Sequence, residues 1–307
     1  MRAFIFPGQG SQAVGMGKAL SEASPAARAV FEEVDEALGQ KLGALMAEGP
    51  QEELTLTANA QPAIMANALA TLRASGIDLA TKADFVAGHS LGEYSALCAA
   101  GAFDLATTAR LLKLRGTAMQ EAVPVGEGAM AALLGADVAL AQAIADEAAE
   151  GQVCTVANDN DPSQVVISGH RGAIERAVAI AKDRGAKRAV LLPVSAPFHC
   201  PLMQPAADRM ERALAEAAMG QPAVPLYANV TAAPVVDPVE VRSLLVAQVT
   251  GMVRWRESIA AMSAIGVTHF VEWGAKVLSP MIKRIAPEAT VTSVVTIDDV
   301  DALAGAL

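Results

Sequence analysis

The sequence predicts an α/β protein: a mostly parallel sheet flanked by helices, interrupted by a smaller inserted unit of order β-α-β-β-α-β. Three observations lead there. Short apolar runs alternate with helical patterns in the first and last parts of the 307-residue chain, as a parallel sheet with crossover helices requires. Between residues 128 and 194 two strands follow one another with only a turn between them, which marks a split β-α-β arrangement. Finally, "DFVAGHSLGEYSAL", residues 84–97, reads as a strand, a sharp turn and a helix.

Taken in order, "RAFIF" is the first strand, and "AARAVFEEVDEAL" and "QPAIMANALATLRASG" carry helical spacing. Asp84–Ala87 is a short buried strand, Glu93–Ala100 a helix, and "TTARLLKLRGTAMQ" a further helix. The insert then runs "AMAALLG" (strand), "VALAQAIADEAAEG" (helix), "VCTVAN" and "QVVISG" (strands joined through "DNDPS"), "AIERAVAIAKDRG" (helix) and "KRAVLLPV" (strand). Beyond it lie the helix "AADRMERALAEAAM" and strands within "VPLYANV", "THFVEW" and "ATVTSVV". The expected division is a large part, 1–126 and 196–307, and a small one, 127–195. No internal repeat or low-complexity tract interrupts it.

Composition narrows the function classes. The chain is 53% hydrophobic and 18% charged, which excludes extended disorder. No apolar run approaches a membrane span, so no membrane association is expected. The apolar start is broken at once by Pro7 and Gly8, unlike a secretory signal. Cys98, Cys154 and Cys200 are widely spaced and odd in number, forming neither a disulfide framework nor a metal knuckle. A reduced, cytoplasmic protein with no metal or cofactor is the expectation. The net charge of −10 argues against nucleic-acid binding. It leaves small anionic substrates open, because one local arginine suffices for those. With no coiled-coil pattern or long apolar face, a monomer is expected.

Four places carry candidate chemistry. Gly88-His89-Ser90-Leu91-Gly92 fits the G-x-S-x-G elbow, in which flanking glycines make room for a turn that presents the serine hydroxyl. The same serine, three residues before Glu93, also spells a helix cap, and both readings stand. Gly8-Gln9-Gly10 follows the first strand and spells G-x-G-x-x-A, but the dinucleotide reading needs a second strand where "ARAVFEEVDEAL" is helical. That loop is either an ordinary tight turn or a donor of the Gln9 backbone N–H to an oxyanion. Arg115 lies three or four positions from Leu111, Leu112, Ala118 and Met119, on the apolar side of its helix. A guanidinium there needs an anionic partner, which is an internal carboxylate or a substrate carboxylate. His199, between Pro197 and Pro201, is the best-held histidine for a general base. His89 sits in the elbow, His170 reads as exposed and His269 lies in a strand. Cys200, beside His199, reads as a bystander thiol.

Together "FPGQGSQ", "TANAQPA", "GHSLGEYSAL", "LLKLRGTAMQEAVP", "GAMAALLG", "SQVVISGH", "PVSAPFHCPLM" and "AQVTGMVRW" resemble, in order and over almost the whole chain, the malonyl-CoA:acyl carrier protein transacylases of fatty-acid synthesis. They also resemble the related acyltransferase domains of polyketide synthases. The resemblance implies an α/β-hydrolase-like large subdomain with a ferredoxin-like insert. It also implies malonyl transfer from malonyl-CoA to holo acyl carrier protein. It makes Ser90 the acylated nucleophile, His199 its base, and the backbone N–H groups of Gln9 and Leu91 the oxyanion hole. Arg115 would grip the malonyl carboxylate, Gln61 and Phe198 would line the pocket, and the main-chain carbonyl of Gln248 would orient His199 in place of an aspartate. The usual E-x-G-P-G-K appears as Glu272-Trp273-Gly274-Ala275-Lys276, a change expected to alter a turn only. An acidic carrier protein would need a locally basic face, for which Lys182, Arg184, Lys187 and Arg188, or Lys276, Lys283 and Arg284, are candidates.

Overall fold

Strand β1 (Arg2–Phe6) alternates cleanly: Phe4 and Phe6 point into one apolar cluster and Ala3 and Ile5 into another, all fully buried. A strand buried on both faces belongs inside a helix-covered parallel sheet, and that is where β1 lies. Its neighbours are β2 (Phe85–Gly88) and β9 (His269–Trp273), both parallel to it. The computed structural model describes residues 1–194 and 196–304. The expected segment ends at residue 195 and residues 305–307 lie outside the described residues.

The full sheet runs β10-β9-β1-β2-β7-β8, with β7 at Leu226–Ala228, β8 at Ala233–Val235 and β10 at Thr290–Val294. Every neighbouring pair is parallel except β7 and β8. Strand β7 falls within the expected "VPLYANV", but its antiparallel partner β8 has no counterpart among the expected strands, since three residues including Pro234 carry almost no periodicity. Helices Pro25–Leu38, Thr57–Ala74 and Leu105–Glu121 cover one face, while Trp255–Ala264 and Ser279–Ile285 cover the other. Several begin on readable signals: Ser24 and Asp104 accept from the N–H three residues on, and Asp237 from those of Val239 and Glu240.

The second sheet is antiparallel, in the order β4-β5-β3-β6, with β3 at Gly128–Leu134, β4 at Cys154–Asp161, β5 at Gln164–His170 and β6 at Arg188–Leu191. Helices Val138–Ala149 and Arg171–Ala181 complete the β-α-β-β-α-β order. Along β3, Ala129, Ala131 and Leu133 pack with those helices, whereas Met130 and Ala132 join the core of the large sheet. The period of two therefore gives the small sheet one private face and one face turned toward the rest of the protein.

Two expectations need correction. The turn between β4 and β5 is only Pro162-Ser163, because "DND" continues the strand despite low β propensity. Two bulges accommodate it. Buried Asp159 pairs with Arg256 at 2.8 Å and buried Asp161 with Arg284 at 2.6 Å, so tertiary ion pairs hold the tract extended. His170 is half-buried rather than exposed, its Nδ1 accepting from the Val153 N–H at 2.9 Å.

Candidate active site

The elbow after β2 is built by close approach. A Cβ on Gly88 would lie 1.9 Å from Gly92 backbone atoms, and one on Gly92 2.3 Å from the Phe6 carbonyl oxygen. Only glycine lets the chain turn this sharply against β1. Ser90, between them, adopts φ 54, left-handed backbone that costs a non-glycine residue on the order of 1–3 kcal/mol. Asn229 supports it from both sides, accepting from the Ser90 N–H at 2.8 Å and donating to the Gly88 carbonyl at 2.7 Å.

The hydroxyl does not cap the following helix, Gly92–Ala99. Leu91 occupies the N-cap with no side-chain cap bond, and Ser90 Oγ lies 2.8 Å from His199 Nε2. His199 is also held at positive φ, 56, and is 4% exposed. Its Nδ1–H donates to the Gln248 main-chain carbonyl at 2.8 Å. That fixes the tautomer, leaving Nε2 as an acceptor for the serine proton. Burial, aided by the Arg115 charge, pushes the imidazole down to about 3, so it is neutral and able to take a proton. Cys200 donates to the Pro197 carbonyl, is fully buried and has its thiol pushed up by burial. It carries no thiolate and does not compete as a nucleophile.

Arg115, on the helix Leu105–Glu121, is 1% exposed. Gly116 beside it lets this helix approach Thr57–Ala74 so closely that a Cβ would sit 2.4 Å from the Thr57 carbonyl oxygen. The approach brings the guanidinium onto Gln61, whose Oε1 accepts from one terminal nitrogen at 2.9 Å. The other terminal nitrogen donates to Gln248 Oε1 at 2.8 Å and to Ser90 Oγ at 3.1 Å. The Tyr94 ring lies beneath, 5.7 Å from centroid to the guanidinium carbon. Among the described residues no carboxylate forms an ion pair with Arg115. Its direct acceptors are two neutral carboxamides and the serine hydroxyl, which leaves the charge available to an anionic ligand.

These groups open into a cleft of about 490 Å³ between the two sheets. Gln9, Leu91, Gln61, Phe198, Ser90, Arg115 and His199 all line it. The Leu91 N–H belongs to the first turn of its helix, where backbone donors have no intrahelical acceptor, and Gln9 follows β1 on the facing loop. Gln248 lies behind, completely buried. All eight expected site residues thus fall in or immediately around one cleft.

Others were given no role from the sequence. Asn158 and Asn160 line the cleft while Asp159 and Asp161, pointing the opposite way, form the ion pairs. The alternating "NDND" was the available clue. Asn160 Oδ1 meets His89 Nε2 at 2.8 Å, joining the elbow to the small sheet. Glu93 is buried and accepts from the Asn229 N–H at 2.7 Å and from Gln248 Nε2. Glu272 accepts from the N–H groups of Val277, Leu278 and Ser279. Its carboxylate therefore shapes the altered turn whose Val277 and Leu278 line the cleft. Of the basic candidates, Arg184 is paired with Glu147 and Arg284 with Asp161, while Lys182, Lys187, Arg188, Lys276 and Lys283 are exposed.

A strand–turn–helix serine elbow on a parallel sheet, facing a histidine across a cleft roofed by a small antiparallel sheet, defines an α/β acyltransferase. The chain belongs to the acyl transferase domain family, which matches residues 3–284. It is 45% identical over 306 residues to the malonyl CoA-acyl carrier protein transacylase of Escherichia coli K12, covering 99% of this chain and 98% of that protein. Among solved structures, the acyl-carrier-protein S-malonyltransferase of Bartonella henselae superimposes with a TM-score of 0.97 at 54% identity, over 99% of this chain and 98% of the other. A malonyl-transacylase captured in complex with a type II polyketide acyl carrier protein matches with a TM-score of 0.95 at 39% identity, over 100% and 99% of the two chains.

Proposed function

We propose that this protein moves a malonyl group from malonyl-CoA to the phosphopantetheine thiol of holo acyl carrier protein, through a malonyl ester on Ser90. Such a reaction supplies malonyl carrier protein for fatty-acid chain elongation in the cytoplasm. The observation that carries this reading is the placement of Arg115 within 3.1 Å of the same Ser90 hydroxyl that His199 holds at 2.8 Å. A nucleophile, its base and a carboxylate-binding guanidinium then meet at one atom.

In the first half-reaction the Ser90 proton passes to His199 Nε2 as Oγ attacks the thioester carbonyl. The tetrahedral oxyanion is received by the N–H groups of Gln9 and Leu91, where one donor typically contributes about 3–4 kcal/mol. Collapse expels CoA, which takes the proton from His199. The second half-reaction mirrors the first: the pantetheine thiol gives its proton to His199, attacks malonyl-Ser90, and the proton returns to Ser90. Gln248 accepts from His199 Nδ1 through its main-chain carbonyl, filling the place of a triad aspartate. Arg115 selects the acyl group by its free carboxylate, and Gln61 and Phe198 shape the wall beside it. The steps described need neither metal nor cofactor, and among the described residues no group of metal-ligating side chains occurs. No helix among them is long and apolar enough to cross a membrane. The proposed division keeps the nucleophile, base and guanidinium in segments 1–126 and 196–307, with 127–195 as the roof, acting as a monomer.

Intact mass after mixing with malonyl-CoA, without an acceptor, tests the proposal. A single malonyl adduct on the wild type, absent from Ser90→Ala and discharged by holo carrier protein, is expected. An adduct lost in buffer alone would indicate a thioester hydrolase instead, and no adduct would sink the reading.

A further inference from the structure

We propose that in alkaline solution Glu93 is the counter-ion of Arg115, linked to it through the Gln248 carboxamide, and that it takes a proton from solvent when an anionic acyl group occupies the guanidinium. This rests on the malonyl reading above and concerns how the same site balances its charge.

Geometry carries the argument. The Glu93 carboxylate Oε1 accepts from the Asn229 N–H at 2.7 Å, and Oε2 accepts from Gln248 Nε2. A carboxylate is acceptor-only, so the Gln248 amide must turn its NH₂ toward Glu93 and its Oε1 toward Arg115. That is the orientation seen, with the Arg115 nitrogen donating to Gln248 Oε1 at 2.8 Å. Gln248 Nε2 also donates to the Ser90 carbonyl at 2.9 Å. Carboxyl, carboxamide and guanidinium thus form one hydrogen-bonded chain through the buried interior. Arg115 and Tyr94 are the charged or titratable groups that act on Glu93. The helices Thr57–Ala74 and Leu105–Glu121 and the strands β1, β2 and β7, packed against its own helix, bring no other group that acts on it.

In the empty site above about pH 8, where Glu93 has released its proton, the charges of Arg115 and Glu93 offset one another. A malonyl carboxylate adds a second anion that shares the same guanidinium in a low-dielectric cleft, and two carboxylates in such a position do not both stay ionised. The malonyl group, in direct contact with the guanidinium and open to the cleft, keeps its charge. Glu93, one carboxamide away and fully buried, accepts the proton. Burial already raises its carboxyl to about 8 in the empty protein, and loading carries it well above that.

The test measures proton uptake with an indicator dye in weakly buffered solution when wild-type protein meets malonyl-CoA without acceptor. The adduct is counted by intact mass, and the ionisation of the released CoA thiol is corrected with free CoA. About half a proton per adduct is expected at pH 8, falling toward zero near pH 6.5, where Glu93 is protonated whether or not the site is loaded. Glu93→Gln is expected to abolish the uptake. An adduct that forms without pH-dependent uptake overturns the proposal, as does uptake that persists in Glu93→Gln. Should that variant not fold, the wild-type series decides alone. Absence of any adduct would instead overturn the malonyl reading, and this inference with it.

Discussion

Replacing Arg115 by alanine is the sharpest perturbation of the proposed selectivity. A charge-assisted hydrogen bond contributes roughly 1.5–3 kcal/mol, so a bidentate grip offers about 3–6 kcal/mol. The structure argues for the lower end. Both terminal nitrogens already donate, to Gln61 and Gln248, and a malonyl carboxylate shares or displaces those acceptors instead of meeting a bare cation. About 3 kcal/mol corresponds to roughly a hundredfold at 1.36 kcal/mol per decade. Arg115→Ala should therefore lower kcat/KM for malonyl-CoA about a hundredfold more than for acetyl-CoA, each measured with saturating holo carrier protein. Arg115→Lys keeps the charge but loses the planar fork, and its ratio should fall between the two. A proportional loss for both acyl groups would refute the reasoning, because it would make Arg115 a support for Gln61 and Gln248 and not a selector.

Four further outcomes follow from the geometry. Gly92→Ala, which sets a Cβ 2.3 Å from the Phe6 carbonyl oxygen, should lower stability by about 3 kcal/mol in urea unfolding; an unchanged midpoint would mean the elbow has slack. Arg284→Ala leaves the buried Asp161 carboxylate unpaired. With the arginine itself half-exposed, the loss should sit near the low end for such pairs, about 3 kcal/mol, and Asp161→Asn should recover part of it in the double variant. His199 is held near 3, far below an ordinary imidazole, so it remains a base as pH falls through 6.5. The acid limb of kcat/KM, which reports the free enzyme, should appear well below that value, and a limb centred at 6.5 would contradict the buried-base assignment. Glu93 carries its proton in the folded state up to about pH 8, while the unfolded chain releases it near 4.5. The native state therefore binds more protons across that interval, and this contribution to stability is lost as pH rises through it. A urea midpoint that falls from pH 6 to 8 in wild type but not in Glu93→Gln is the expected signature.

Much of the architecture was legible because parallel strands and their helices advertise themselves through long, regular patterns. Phe4 and Phe6 against Ala3 and Ile5, or Leu111 and Leu112 beside Arg115, carry their periodicity in the chain itself. Short or polar elements did not. Strand β8 has three residues, and β4 runs through Asn and Asp whose strand conformation depends on Arg256 and Arg284, far off in sequence. The same distinction divides the site. Ser90 and His199 sit in local signatures, glycines and prolines, that restrict the backbone at those two positions. Glu93 is visible in the sequence only as the capping-box position of the helix after the elbow. Its link to Gln248 spans 155 positions, and no local pattern encodes a contact of that range.

Gln248 accounts for a proposed dyad that has no triad aspartate. A carboxylate on His199 Nδ1 would stand close to Arg115, and a direct ion pair between them would take the guanidinium away from the acyl group. A main-chain carbonyl orients the imidazole equally well without a full charge, which keeps His199 neutral and leaves Arg115 to its carboxamides. The nearby carboxyl group is instead set back at Glu93, beyond the Gln248 side chain, where burial raises it to about 8. In the proposed mechanism one residue thereby orients the base with its backbone and holds the selector with its side chain. Removing that side chain, as in Gln248→Ala, should then impair malonyl selectivity more than His199 function, since the backbone carbonyl survives. Acetyl transfer that falls as steeply as malonyl transfer in this variant would show that the two roles cannot be separated.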